Sequence, residues 1–191
     1  MPQLNTMDRM IVKGLPDEEN LVENARGDPL AFAELYRHYA VRIYHYLFAH
    51  VGIKEDAEDL TTQVFMAVWN GLRRYSEQGS FAAWIFRIAR NKVTDWHRRR
   101  KPLNSLDSLE GLAASSGDPF AALLLQEDLH RLRELVASLP PDQKEILRLR
   151  YAAGLTYVEM GQVLGKREDA VRMAAARLLE RLRQAWEQND G

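Results

Sequence analysis

The stretch FAAWIFRIARNKVTDWHRRRK, Phe81 to Lys101, decides how this chain folds, because it separates two kinds of surface at helical spacing. Phe81, Trp84, Ile85, Ile88, Ala89, Val93 and Trp96 recur every three or four residues and form one apolar stripe. Arg87, Arg90, Asn91, Thr94 and Arg98 follow the same spacing on another face. From Trp84 to Lys101 seven basic residues stand against one acid, Asp95. A face that basic repels itself unless an anion neutralises it, and a nucleic-acid backbone is the usual anion.

The flanking sequence is helical in the same way. Residues 1–16 read as a loose tail. Asp17-Glu18-Glu19 suits the positive end of a helix dipole and opens a helix to about Ala25. Gly27-Asp28-Pro29 breaks it and starts a long helix whose stripe runs Phe32, Leu35, Tyr36, Tyr39, Ile43, Leu47 and Phe48. After the turn Val51–Lys54, a third helix spans about Glu55 to Tyr75, with Leu60, Val64, Phe65 and Val68 toward the core. Ser76–Ser80 is a short polar loop into the basic helix. No useful length alternates with strand period, so the chain reads as all-α.

Zero cysteines exclude disulfides, thiolate catalysis and Cys-based zinc sites, and no apolar run reaches the length of a membrane span. The simplest reading is a cytoplasmic protein without membrane insertion. The five histidines lack metal-binding spacing, and no triad, phosphate loop or paired-carboxylate cleft appears. An enzyme, a cofactor and a small-molecule substrate are therefore not expected. The net charge of −1 conceals an asymmetry. Asp17 to Thr62 holds ten acids and four bases, and the next forty residues swing positive. One face suits a basic protein partner and another a polyanion.

Residues 102–119 carry Ser, Gly and Asn with weak periodicity and read as a flexible linker. The first domain is then 17–101 and the second 120–187, with a short tail at 188–191. In the second domain, helices are expected at 120–138 and 142–153. Thr156-Tyr157-Val158-Glu159 is a capping box that starts another, ending at Leu164-Gly165. A last helix spans about Asp169 to Glu187. Gly161, Gly165 and Val171 have the spacing of a helix-turn-helix, decorated by Arg172, Arg177, Arg181 and Arg183.

These segments, in this order, resemble the extracytoplasmic-function (ECF, group IV) sigma factors of bacterial RNA polymerase, over residues 17–187. DPLAFAELYRHY is similar to the family's first region 2 helix, and DAEDLTTQVFMAVW (56–69) to its polymerase-binding helix. FAAWIFRIARNKVTDWHRRR is similar to its promoter-melting helix. LPPDQKEILRLRYAAGLTYVEMGQVLG with AVRMAAARLLERLR resembles region 4, which binds the upstream element. The resemblance implies a subunit that binds core polymerase, recognises −10 and −35 promoter elements and initiates transcription. It assigns polymerase binding to Asp56, Glu58, Asp59, Leu60, Gln63 and Phe65. The −10 contacts fall to Ser80, Trp84, Arg87, Arg90, Asn91, Arg98 and Arg99. The −35 contacts fall to Lys166, Arg167, Arg172, Met173, Ala176 and Arg177.

Thr62-Gln63 stand where the family usually has Gln-Glu, and Arg172-Met173-Ala174 where it has Lys-Ser-Arg. The resemblance also implies an anti-sigma partner that wraps between two tethered domains whose working faces are otherwise exposed. Phosphorylation of Thr61 or Thr62 is a second route to control, since phosphate would replace the charge absent at Gln63. Two other functions remain: a helix-turn-helix regulator acting without polymerase core, and a sigma mimic that titrates an anti-sigma factor. Neither explains both the basic helix and the DAEDL segment.

Overall fold

The computed structural model describes residues 17–76, 79–99 and 119–188, the last segment with side chains from residue 127. The expected tail at 1–16, the linker to residue 118, the Arg100-Lys101 end of the basic run and residues 189–191 of the expected tail at 188–191 lie outside the described residues, while Gln188 ends the last helix. Among the described residues the chain is helical throughout, without strands, and forms two helical domains.

The first domain holds α1 (Glu18–Asn24), α2 (Pro29–Val51), α3 (Lys54–Leu72) and α4 (Phe81–Arg99). Asp28 starts α2, its Oδ1 accepting the Leu30 N–H at 2.9 Å with Pro29 in the first turn. Ser80 caps α4 in the same way, its Oγ accepting the Ala83 N–H at 3.1 Å. The periodic apolar residues then meet: Leu35, Tyr39, Ile43 and Leu47 of α2, Val64, Val68 and Leu72 of α3, and Ile85, Phe86 and Ala89 of α4 are all buried. Burial of each large side chain contributes about 1.5–3 kcal/mol, so tertiary packing rather than helix propensity holds the helices. Tyr46 meets Phe86 edge-on at 5.5 Å, and the Tyr39 hydroxyl donates to Glu18, tying α1 to α2.

The second domain comprises α5 (Pro119–Ala137), α6 (Pro141–Leu147), a π-helical turn at Arg148–Ala152, α7 (Tyr157–Leu164) and α8 (Glu168–Gln188). Its core is Leu149, Leu155, Met160, Val171, Ala175 and Leu178. The expected capping box is formed: Glu159 Oε2 accepts the Thr156 N–H at 2.7 Å, and Thr156 Oγ1 accepts the Glu159 N–H. Gly165 ends α7 with φ 64°, the left-handed value that glycine takes without strain. The expected helix over 142–153 is corrected in its second half. There the Ala153 N–H reaches back to the Arg148 carbonyl at 2.9 Å, five residues away. Periodicity does not reveal such a turn, because it inserts one residue without changing composition.

The π turn carries a contact between the domains. Arg42, buried in α2 among the Tyr39 and Phe86 rings, donates from Nε to the Ala153 carbonyl at 2.8 Å. Arg148 answers in the other direction, donating to the Ala49 carbonyl at 2.9 Å. With α4 packed beside α7, the two domains are docked rather than held apart with both working faces open. The expected linker itself lies, to residue 118, outside the described residues.

Gly161 sits where α7 meets the following turn, and a Cβ there would lie 2.7 Å from the Lys166 carbonyl oxygen. Backbone cannot swing aside as a side chain can. Gly161→Ala is therefore expected to destabilise the second domain by about 1–3 kcal/mol, read as a lower urea midpoint with unchanged slope.

Candidate protein and nucleic-acid interfaces

The acidic start of α3 presents Glu58 and Asp59 to solvent, with Asp56 half-buried and Lys54 Nζ 3.8 Å from Glu58. Gln63 is exposed one turn further on. Leu60 and Phe65 are 4% and 5% exposed, so they belong to the core and support this surface from beneath. The apolar surface beside the acids comes from residues that the resemblance did not assign to polymerase binding. Leu30, Tyr36, Met66 and Trp69 are 78%, 45%, 62% and 44% exposed. Trp69 is braced by Phe32, 4.8 Å from its ring, and Tyr36 by Phe65, 4.5 Å from its ring. Met66 and Trp69 lie seven and eleven residues after Asp59 and Glu58, so their outward direction was readable from helical spacing. Thr61 is buried with its hydroxyl donating to Ala57 O at 2.7 Å, which closes the first of the two phosphorylation positions. Thr62 is exposed and donates to Glu58 O at 3.1 Å.

On α4 the stripe Arg87, Arg90, Asn91, Thr94 and Arg98 faces outward with Arg99. Arg98 pairs with Asp95 at 3.0 Å, and the Thr94 hydroxyl donates to the Arg90 carbonyl. Trp84 is half-buried in a hollow with Tyr75 and Phe81, over Gly71, where a Cβ would stand 3.2 Å from the indole. Its first role there is packing. Ser80 lies at the start of the same helix, while residues 77 and 78 of its loop lie outside the described residues.

The turn and recognition helix of the second domain expose Lys166, Arg167, Arg172, Met173, Ala176 and Arg177. Arg167 binds Asp169 at 2.9 Å, and Arg172 pairs with Glu168 beside the Tyr157 ring. Exposed pairs of this kind are worth little and exchange readily for a phosphate. Arg177 extends the basic edge one and a half turns further.

Between the domains lies a cluster absent from the sequence reading. Glu145 of α6 is 8% exposed. Its Oε1 accepts the Tyr46 hydroxyl at 2.7 Å and lies 3.6 Å from Arg90 Nε. Its Oε2 is 3.0 Å from His50 Nε2, too far off line for a well-aligned hydrogen bond. Burial alone would raise the Glu145 pKa, but the His50 ring, the Tyr46 hydroxyl and Arg148 outweigh it and keep the carboxylate ionised. Burial lowers the His50 pKa, and with Arg148 it outweighs the pull of Glu145. Burial and Glu145 hold the Tyr46 hydroxyl protonated, as a donor must be. Tyr46 and Glu145 are 99 residues apart in sequence, beyond any local pattern.

A four-helix unit with a basic outer helix, docked to a helix-turn-helix, is a two-region transcription-factor architecture. Residues 35–102 match the family described as Sigma-70 region 2, and residues 129–182 the one described as Sigma-70, region 4. Within that class the chain belongs to the ECF RNA polymerase sigma factors. It is 32% identical over 184 residues to the ECF RNA polymerase sigma factor SigD of Mycobacterium tuberculosis, covering 91% of this chain and 85% of that one. It is 34% identical over 169 residues to the ECF sigma factor BldN of Streptomyces coelicolor, 85% of this chain and 64% of that protein's length. The fold is similar to that of the sigma factor RpoE in its complex with the anti-sigma factor NepR from Bartonella quintana. There the TM-score is 0.58 at 20% identity, covering 82% of this chain and 96% of that chain.

The buried cluster sets a pH response. Burial at the docked interface lowers the His50 pKa from its ordinary value of 6.5, so a ring freed by separation is expected to take up a proton more readily than the docked one. The separated form therefore binds more protons, and docking weakens as pH falls below that value. His97, lowered by burial and Arg148, acts in the same direction, and Glu145 adds to it below its ordinary value of 4.5. Small-angle scattering is expected to report a larger radius of gyration at about pH 5 than at about pH 8; an unchanged radius with helicity retained contradicts this.

Proposed function

We propose that this chain is a promoter-specificity subunit, acting in the cytoplasm on bacterial RNA polymerase core and belonging to group IV of the sigma factors. The observation that carries this reading is the order of its surfaces on one chain. An acid-rimmed aromatic face lies on α2 and α3, a basic face on α4, and a recognition helix presenting Arg172 and Arg177 on a second domain. An unaided repressor needs only the last of these, and a sigma mimic needs neither of the last two.

In this function Glu58, Asp59 and half-buried Asp56 supply charge complementary to a basic segment of the polymerase, beside Tyr36, Met66 and Trp69 as apolar anchors. The charges orient and accelerate encounter, and the desolvated aromatic centre supplies most of the affinity. Gln63 borders this patch, while Leu60 and Phe65 hold its shape from below. Arg87, Asn91, Arg98 and Arg99 grip the phosphates of the −10 region with Arg90. Pulling a base from the stack costs a few kcal/mol, which bound backbone and a receptive loop at Ser80 offset. Lys166, Arg167, Arg172 and Arg177 hold the −35 region chiefly through phosphates, with Met173 and Ala176 as its apolar edge, so upstream specificity is partly indirect. The division into 17–101 and 120–187 assigns one promoter element to each domain. An anti-sigma protein is a further partner in this reading, as NepR is for the similar Bartonella protein.

Two measurements test this. Run-off transcription with purified core polymerase should depend on the protein. The pair Asp56→Lys and Asp59→Lys should weaken core binding at least about tenfold at low ionic strength, and less in high salt. Equal affinity in a pull-down removes the acids from the interface. Separately, Arg87→Ala with Asn91→Ala should leave core binding intact while reducing permanganate reactivity of promoter thymines. Normal melting by that variant would make the stripe an ordinary solvated face.

A further inference from the structure

Glu145 answers only part of the positive charge that collects where the domains meet. A cleft of about 460 Å³ opens beside it, lined by Arg90, His97, Arg148 and Lys166. These come from α4, from the π turn and from the turn before α8. Arg148 gives its Nε hydrogen to the Ala49 carbonyl, and its terminal nitrogens meet no acceptor among the described residues. Lys166 Nζ and the His97 ring likewise have no acceptor there, and Arg90 Nε has only Glu145 at 3.6 Å. Against the fixed charges of Arg90, Arg148 and Lys166 stand two carboxylates of α6, Asp142 and Glu145, so the cleft keeps a positive excess. Burial lowers the Arg148 pKa, and Glu145 offsets only part of that. Burial and Arg148 also hold His50 and His97 below their ordinary value of 6.5.

We propose that this cleft binds a small phosphate monoester, with Arg148, Lys166 and His97 holding the phosphate beside Arg90. Cations partly removed from water without enough anion are what a bound anion relieves, and guanidinium and ammonium donors suit phosphate oxygens. Val93, Ile146 and Leu164 add an apolar wall for the organic part. The volume is that of a small-molecule site rather than of a bare ion. Neither Arg148 nor His97 belongs to the surfaces assigned to polymerase or promoter, and the inference concerns the chain by itself, apart from the sigma-factor reading. Binding carries a proton signature. Arg90, Arg148 and Lys166 oppose protonation of the two imidazoles, while Asp142 and Glu145 favour it. The Tyr46 hydroxyl, kept protonated by burial and Glu145, adds no charge. A phosphate dianion joins the weaker side, so it raises the proton affinity of His50 and His97.

Nuclear magnetic resonance of the full chain tests this, with phenyl phosphate as the probe, inorganic phosphate as its counterpart and ionic strength matched with chloride. Phenyl phosphate is expected to raise the titration midpoints of His50 and His97, and to leave in place those of His45 and His130, which lie off the cleft. It should bind about tenfold more tightly than inorganic phosphate, because its ring leaves water. His97→Gln with Lys166→Gln, both at exposed positions where the fold does not depend on them, is expected to weaken binding at least about tenfold. Arg37→Gln, which removes a cation elsewhere on the surface, should leave affinity unchanged. Midpoints that do not move, or that move equally at all five histidines, overturn the proposal. Full affinity in the double variant overturns it too. So does equal affinity for the two phosphates, which would leave the apolar wall without a ligand.

Discussion

A carboxylate removed from water must be met by donors, and Glu145 is met by donors from the other domain. That requirement places α6 against α2 and α4, brings Arg148 to the end of α2 and sets α7 beside the start of α4. The π turn follows from it as well. By widening the helix at residues 148–152 it turns the Ala153 and Gly154 carbonyls toward Arg42, which is itself buried among aromatic rings and needs acceptors.

The surfaces divide their work by chemistry. On α2 and α3 an apolar aromatic centre lies beside carboxylates, the composition of a protein-binding patch rather than a nucleic-acid one. On α4 the exposed residues are mainly cationic, which suits a polyanion, while on α8 Arg172, Arg177, Arg181 and Arg183 are interspersed with exposed Asp169, Glu180 and Glu187. Arg98, Arg172 and, in the turn before α8, Arg167 are lightly held by Asp95, Glu168 and Asp169, close enough to be positioned and exposed enough to be released.

Much of this was legible in the chain. The apolar stripe of Phe81 to Val93 became the buried face of α4, and the capping box at Thr156 and the left-handed Gly165 frame α7 as their residue types require. The DAEDL segment was read with Leu60 and Phe65 at the polymerase-binding surface, yet both are core. Helical spacing tells which residues share a face, but a boundary residue turns inward or outward according to what packs opposite. Here Phe32 and Tyr36 of α2 close over Phe65 and leave Met66 and Trp69 outside. Trp84 became a wedge over Gly71 for the same reason.

The sequence by itself determined the helices, their caps, the charge of each outer face and the order of the two regions, because all of these arise from residues within one or two turns of each other. The tertiary structure alone decided which face meets which. Arg42 with Ala153, Tyr46 with Glu145 and Ser80 with Gln162 join residues 82 to 111 positions apart. Their partnership depends on desolvation and on hydrogen-bond geometry in three dimensions. Neither leaves a periodic trace in the chain, since one buried arginine or glutamate reads along a helix like any exposed one.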